Sequence, residues 1–238
     1  MLAAATRSPR KPPTQPSSRP PTRASCPSCC SSSAKTARSA ARPAWSSKPD
    51  SRAPNASRKD FDFAANPNVS PALVHTLGKG AWIRAGQSIC LIGDSGTGKS
   101  HLLIGLGTAA AEAGFKVRYV TAAALVNELV EAADDKHLSK TIARYGRVDL
   151  LCLDELGYLE LDWRGAELLF QVFIEREERS SIAIASNSAF SEWARTFTDP
   201  RLCAAIVDRL TFDASIIETG TESFRLRTTK RRRTNRAS

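Results

Sequence analysis

A chain of 238 residues that is 42% hydrophobic has room for one large domain or two small ones, and enough apolar mass for a real core. Its formal charge of +10 belongs to the ends: residues 1–59 carry 12 Lys/Arg against one acid, residues 225–238 carry seven basic residues and no acid, and residues 60–224 carry 15 basic and 23 acidic residues. Basic ends suit a polyanion such as DNA, while the absence of any apolar run near the ~18 residues of a membrane helix argues against a membrane partner.

Residues 1–57 are rich in Ser, Pro, Arg and Ala, show neither helical nor strand period, and are expected to be disordered. Three readings of this basic segment stay open: a flexible arm that touches DNA, an Arg- and Ser-rich transit peptide, or a stretch that is not the natural N-terminus. The abrupt change of composition near Lys59 favours the third. Cys26-Pro-Ser-Cys29-Cys30 resembles half of a zinc site, but no second Cys/His pair follows it. Cys90 and Cys152 fall inside expected core strands, so a reducing, intracellular setting fits best.

Order is expected from Asp60 onward. Ser70 is an N-cap, with Pro71 at the first position of a helix running to Lys79. Ser88–Ile92 is a short apolar strand, and it enters Gly93-Asp94-Ser95-Gly96-Thr97-Gly98-Lys99-Ser100, which matches G-x-x-x-x-G-K-[ST]. A helix opens at His101 and stops at Gly114. The spacing has a chemical reason. The three glycines let the backbone curl so that N–H groups and a helix N-terminus meet β- and γ-phosphates. Lys99 adds a mobile positive charge, and the Ser100 hydroxyl is placed to ligate Mg²⁺. The candidate nucleotide-binding set is therefore Gly93, Asp94, Ser95, Gly96, Thr97, Gly98, Lys99, Ser100 and the adjoining His101, with ATP and Mg²⁺ as cofactors.

Further along, residues 115–121 alternate as a strand, and 122–133 and 137–145 read as helices. Residues 148–155 form a nearly continuous apolar run tipped by Asp154 and Glu155, as a buried parallel strand requires. Strand C-termini converge on the ligand crevice of a parallel sheet, so Asp154 is expected to hold the metal shell and Glu155 to activate water. A helix over 164–179 precedes a second buried strand, 181–186, which ends in Asn187, an amide placed to bond the water or the γ-phosphate. Short helices are expected over 191–197 and 200–210, and Arg209 is the candidate arginine finger, with Arg195 and Arg201 as competitors. Residues 215–218 and 223–227 alternate as two final strands, and Lys230-Arg231-Arg232-Arg233 is a charge run. Strand–helix alternation predicts an α/β fold, a P-loop NTPase three-layer sandwich with a mostly parallel sheet.

GDSGTGKS, GFKVRYVTAAALVNEL, DLLCLDELGYL, SIAIASN, DPRLCAAIVDRL and ESFRLR together resemble the IstB-like helper ATPases of insertion sequences, which are similar to bacterial helicase loaders and belong to the AAA+ class. The resemblance implies an AAA+ core over 58–227 followed by a basic tail at 228–238; the sequence departs from that class in leaving no room for a C-terminal helical lid, so a second sensor arginine is not expected. It implies ATP-dependent binding of double-stranded DNA, self-association, a transposase partner and a bacterial cytoplasmic setting. It assigns Lys99 and Ser100 to Walker A, Asp154 and Glu155 to Walker B, Asn187 to the sensor and Arg209 to the finger. Family members usually begin with a helical, charged N-terminal segment, which residues 1–57 do not match. A replicative helicase loader, a small-molecule kinase and a non-catalytic DNA-binding remnant are the rival readings.

Overall fold

The strand ending in Asp154 and Glu155 lies inside a parallel sheet. In the computed structural model, which describes residues 61–158, 160–177 and 179–227, β3 spans Leu150–Leu156 and is flanked by β2 (Val117–Thr121) and β4 (Ser181–Ser186). β1 (Ile89–Ile92) and β5 (Ser215–Glu218) complete a five-stranded sheet in the order β2-β3-β4-β1-β5, with every neighbouring pair parallel. The expected disordered segment 1–57, the boundary at 58, the cysteine cluster at 26–30 and the basic tail at 228–238 lie outside the described residues.

The period of two along β3 divides the core. Leu151 and Leu153 pack on one face, with Leu125 and Leu129 of α4 (Ala122–Asp134), Leu169 and Phe173 of α6 (Trp163–Arg176), and Ile206 of α7 (Pro200–Thr211). Leu150 and Cys152 point the other way, onto Val74 of α1 (Pro71–Leu77), Trp82 of α2 (Ala81–Arg84) and Leu102 and Leu106 of α3 (Lys99–Glu112). A strand covered on both faces has no polar side to show, which is why its sequence reads as a continuous apolar run. The result is the expected three-layer α/β arrangement. α5 (Leu138–Gly146) packs beside α4 and α6.

Local signals set most boundaries. Ser70 caps α1, Thr121 caps α4, Asp162 caps α6 and Asp199 caps α7, each through its side-chain oxygen. α6 stops at Arg176, short of the expected residue 179. There the guanidinium turns inward and donates to the carbonyls of Tyr145, Val148 (3.0 Å) and Ser181 (2.7 Å), tying α5, the start of β3 and the start of β4 together. Arg176 is 0% exposed, and this burial pulls its pKa down to about 10, so it stays charged at neutral pH.

One expected element is replaced. Residues 223–227 do not form a strand; 224–227 are helical. Ser223 accepts from the Leu226 N–H (3.3 Å), and the Phe224 N–H donates to the carbonyl of Gly96 (3.0 Å). Docking on the loop between β1 and α3 therefore decides the conformation, against a five-residue alternating pattern. Among the described residues, no helix is long and apolar enough to cross a membrane.

Candidate functional site: a phosphate cradle at the C-terminal edge of the sheet

The loop after β1 curls because Gly96 (φ +85°) and Gly98 (φ +103°) occupy backbone conformations that L side chains resist. Space excludes side chains as well. A Cβ at Gly98 would lie 2.7 Å from the ring of Phe61, and one at Gly96 would run into the Ser223 hydroxyl. The loop is tied at both shoulders: the Asp94 N–H donates to Gly220 O (3.0 Å), and the Thr97 and Thr219 hydroxyls share a hydrogen bond of 2.6 Å. Asn66 donates to the carbonyls of Thr97 (3.0 Å) and Thr219 (2.9 Å), so the segment before α1 and the segment after β5 grip the loop together. The first turn of α3, from Lys99, leaves N–H groups without intrahelical acceptors, directed at the same space.

A cavity of about 270 Å³ opens there, and its wall includes Ser95, Gly96, Thr97, Gly98, Lys99, Ser100, His101, Asp154, Glu155 and Asn187. Gly93 and Asp94 form the base of the loop, where the Gly93 N–H donates to Ser186 O (3.3 Å) and the Asp94 carbonyl accepts from Lys99 Nζ (2.7 Å). Lys99 is only 5% exposed. Burial lowers its pKa; Asp154 and Asp94 oppose that shift, and the nearby Arg225 adds to it. His101 sits in the wall with its ring edge-on to Phe61, 5.7 Å between centroids.

Asp154 is 4% exposed and accepts three hydrogen bonds. Ser100 Oγ (3.1 Å) and its neighbour's Glu155 N–H (2.8 Å) reach Oδ1, while Tyr119 Oη (2.6 Å) reaches Oδ2. Burial, reinforced by the Asp154 charge, raises the Tyr119 pKa far above its ordinary value, so the phenol is a donor. The Ser100 hydroxyl beside the Asp154 carboxylate is the hard-oxygen pair that suits Mg²⁺. Among the described residues no group of three His, Cys, Asp or Glu could hold a metal ion.

Glu155 reaches the cavity through a backbone irregularity. Leu153 pairs with Ile184 and Leu156 with Ser186, so two residues of β3 oppose one of β4. Glu155 occupies this bulge at φ +60°, left-handed for a non-glycine residue, and its side chain is exposed. Asn187 follows the last residue of β4 in a tight turn. Ser186 Oγ accepts from Trp193 Nε1 (3.1 Å) and donates to Ser188 O (2.8 Å), so a buried indole holds the turn on which Asn187 stands.

Arg209 is not brought to this cavity. It lies near the end of α7 in a separate cleft of about 320 Å³, with Gln87, Ser88, Ser180 and Ile182 from the opposite, N-terminal edge of the sheet. There its Nε donates to Glu177 (3.0 Å) and its guanidinium stacks on Phe170, 4.9 Å from the ring centroid. Arg225 lines the cavity, placed there by the 224–227 turn. Sequence reading counted Arg225 with the basic tail, and it missed Phe61, Asn66 and Tyr119. Their only signal was polar or aromatic character at positions bordering the glycine loop or facing Asp154.

The family model described as IstB-like ATP binding protein matches residues 34–232. An insertion-sequence ATP-binding protein of Sinorhizobium fredii is 39% identical over 175 residues, covering 73% of this chain and 59% of that relative. One from Geobacillus stearothermophilus is 37% identical over 167 residues, covering 70% of this chain and 66% of that relative. The chain thus spans less than two thirds of the length of these relatives. In fold it is similar to AMPPCP-bound DnaA from Aquifex aeolicus, with a TM-score of 0.56 and 23% identity over 78% of this chain and 57% of that one. A glycine-loop cradle on a parallel sheet of this order, matched by the family model over most of its length, makes this chain a member of the IstB-like ATP-binding protein family.

Proposed function

We propose that the chain binds ATP in the cradle and hydrolyses it, and that the cycle serves DNA binding in support of a transposase. The observation that carries this reading is the convergence of Lys99, Ser100, Asp154, Glu155 and Asn187 on one cavity. A glycine loop alone would fit any nucleoside triphosphate; a carboxylate beside the γ-phosphate position and an amide from the next strand fit attack by water.

Loop amides, the α3 N-terminus and Lys99 grip the phosphates, and Arg225 adds positive charge above them. Ser100 and Asp154 would hold Mg²⁺, which would supply charge neutralisation for the phosphates. Asn187 orients a water and Glu155 accepts its proton. The new bond forms between water oxygen and the γ-phosphorus as the bridge to ADP breaks, giving ADP and phosphate. Arg209, remote from its own cradle, is read as acting on the site of a neighbouring copy in an oligomer. The relatives are insertion-sequence proteins, which favours a transposase over a replicative helicase as partner and a bacterial cytoplasmic setting. Double-stranded DNA is the polyanion matched to the basic ends of the sequence.

The test is ATP turnover of Lys99→Ala and Glu155→Gln, with and without duplex DNA. Both variants are expected to lose at least about 100-fold in turnover, since each removes a main charge-stabilising or proton-accepting group. Undiminished turnover in both would remove the assignment.

A further inference from the structure

The Asp154 carboxylate is held on both of its oxygens, by different kinds of partner. Oδ1 faces the loop and takes hydrogen bonds from Ser100 Oγ (3.1 Å) and the Glu155 N–H (2.8 Å). Oδ2 takes one from Tyr119 Oη at 2.6 Å. Tyr119 comes from the neighbouring strand: β2 and β3 pair Tyr119 with Cys152 and Thr121 with Asp154. Asp154 is therefore the diagonal neighbour of Tyr119, one pleat further on, a separation an aromatic side chain spans. The phenol lies along the sheet face that carries Cys152, partly buried against that core, with its hydroxyl directed toward the strand end.

The geometry points to Tyr119 as a positioning residue for the metal-binding carboxylate, a role that rests on the ATP reading above. The terminal torsion of an aspartate is broad and roughly two-fold, so donors on one oxygen leave the carboxylate plane loosely set. A donor from a rigid strand on the other oxygen fixes that plane. An ionised carboxylate accepts at about four sites, two on each oxygen; with the Glu155 N–H on one site of Oδ1, the site that now accepts from Ser100 Oγ is the one facing the space beside Ser100. Tyr119 makes none of the contacts to phosphate itself; it acts on the metal through Asp154. A partner of this kind is worth about 10- to 100-fold in metal affinity in known sites.

The experiment separates a metal-positioning role from a merely structural one. Binding of a fluorescent, non-hydrolysable ATP analogue to the full chain is titrated first with EDTA present, then against Mg²⁺, for the wild type, Tyr119→Phe and Asp154→Asn. Tyr119→Phe keeps the ring and removes only the hydroxyl. Its metal-free affinity is expected to stay within about twofold of wild type, while the Mg²⁺ concentration at half effect rises about 10-fold. Asp154→Asn is expected to lose most of the Mg²⁺ dependence. An unchanged Mg²⁺ midpoint in Tyr119→Phe overturns the proposal, as does an equal loss of affinity with and without metal, which marks a purely structural hydroxyl. A wild-type chain that takes up no nucleotide would overturn the ATP reading and this proposal with it.

Discussion

Glu155 shows how one residue can be strained for its task. At φ +60° it lies where a side chain costs of order 1–3 kcal/mol, and the bulge in β3 over-determines that conformation. Without the bulge, period-two alternation would direct positions 154 and 155 to opposite faces of the sheet, and only one carboxylate would meet the cradle. The strain gives a test that separates backbone from chemistry. Glu155→Gly and Glu155→Ala both remove the carboxylate, and both are expected to abolish turnover. The glycine variant relieves the left-handed conformation and the alanine variant keeps it. By urea unfolding, Glu155→Gly is expected to be the more stable of the two by about 1 kcal/mol, despite the usual cost of glycine in a strand. The reverse order would show that the bulge stores no strain.

At the scale of the element, legibility followed locality. β1, the loop and α3 could be read because an eight-residue pattern, an apolar entry and a helix start are contiguous, and the buried strands β3 and β4 because apolar runs of that length have few other uses. The 223–227 segment could not be read. Its alternation is only five residues long, and its fate is set by a hydrogen bond to Gly96, distant in sequence. Arg225 escaped notice for the same reason, and Tyr119 because an alternating strand gives no sign of which neighbour its side chain will meet. The premature end of α6 has a similar origin. Arg176 continues the inward face of Leu169, Val172 and Phe173, where an apolar residue is the usual occupant, and its guanidinium is buried against backbone carbonyls instead. Arg176→Met keeps the length and apolar stem of the side chain but leaves those carbonyls without their donor. It is expected to cost about 3 kcal/mol, measured as a shift of the denaturation midpoint at constant slope. A cost under about 1 kcal/mol would mean that water replaces the guanidinium and that the clamp is not what ends the helix.

At the scale of the whole molecule, the two arginines nearest the reaction in sequence expectation and in structure are different residues. Arg225 lines the cradle of its own chain, whereas Arg209 is held at the opposite edge of the sheet by Glu177 and Phe170. A side chain anchored there does not reach the cavity that contains Lys99 without dismantling α7, which is packed through Cys203, Ile206 and Leu210. If Arg209 contributes to hydrolysis, it does so on another copy, and head-to-tail contact between copies is the geometry that brings one copy's N-terminal edge to the next copy's cradle. Complementation checks this. Arg209→Ala keeps an intact cradle and lacks the finger; Lys99→Ala lacks the cradle and keeps the finger. Each alone is expected to be nearly inactive. In an equal mixture, an active site forms wherever an Arg209→Ala cradle meets a Lys99→Ala neighbour. Random assembly makes that about one site in four, so turnover is expected to recover to roughly a quarter of wild type. An Arg209→Ala protein with full activity would dismiss the finger. A mixture no more active than its parts would leave Arg209 as a support for the Glu177–Phe170 cleft within its own chain.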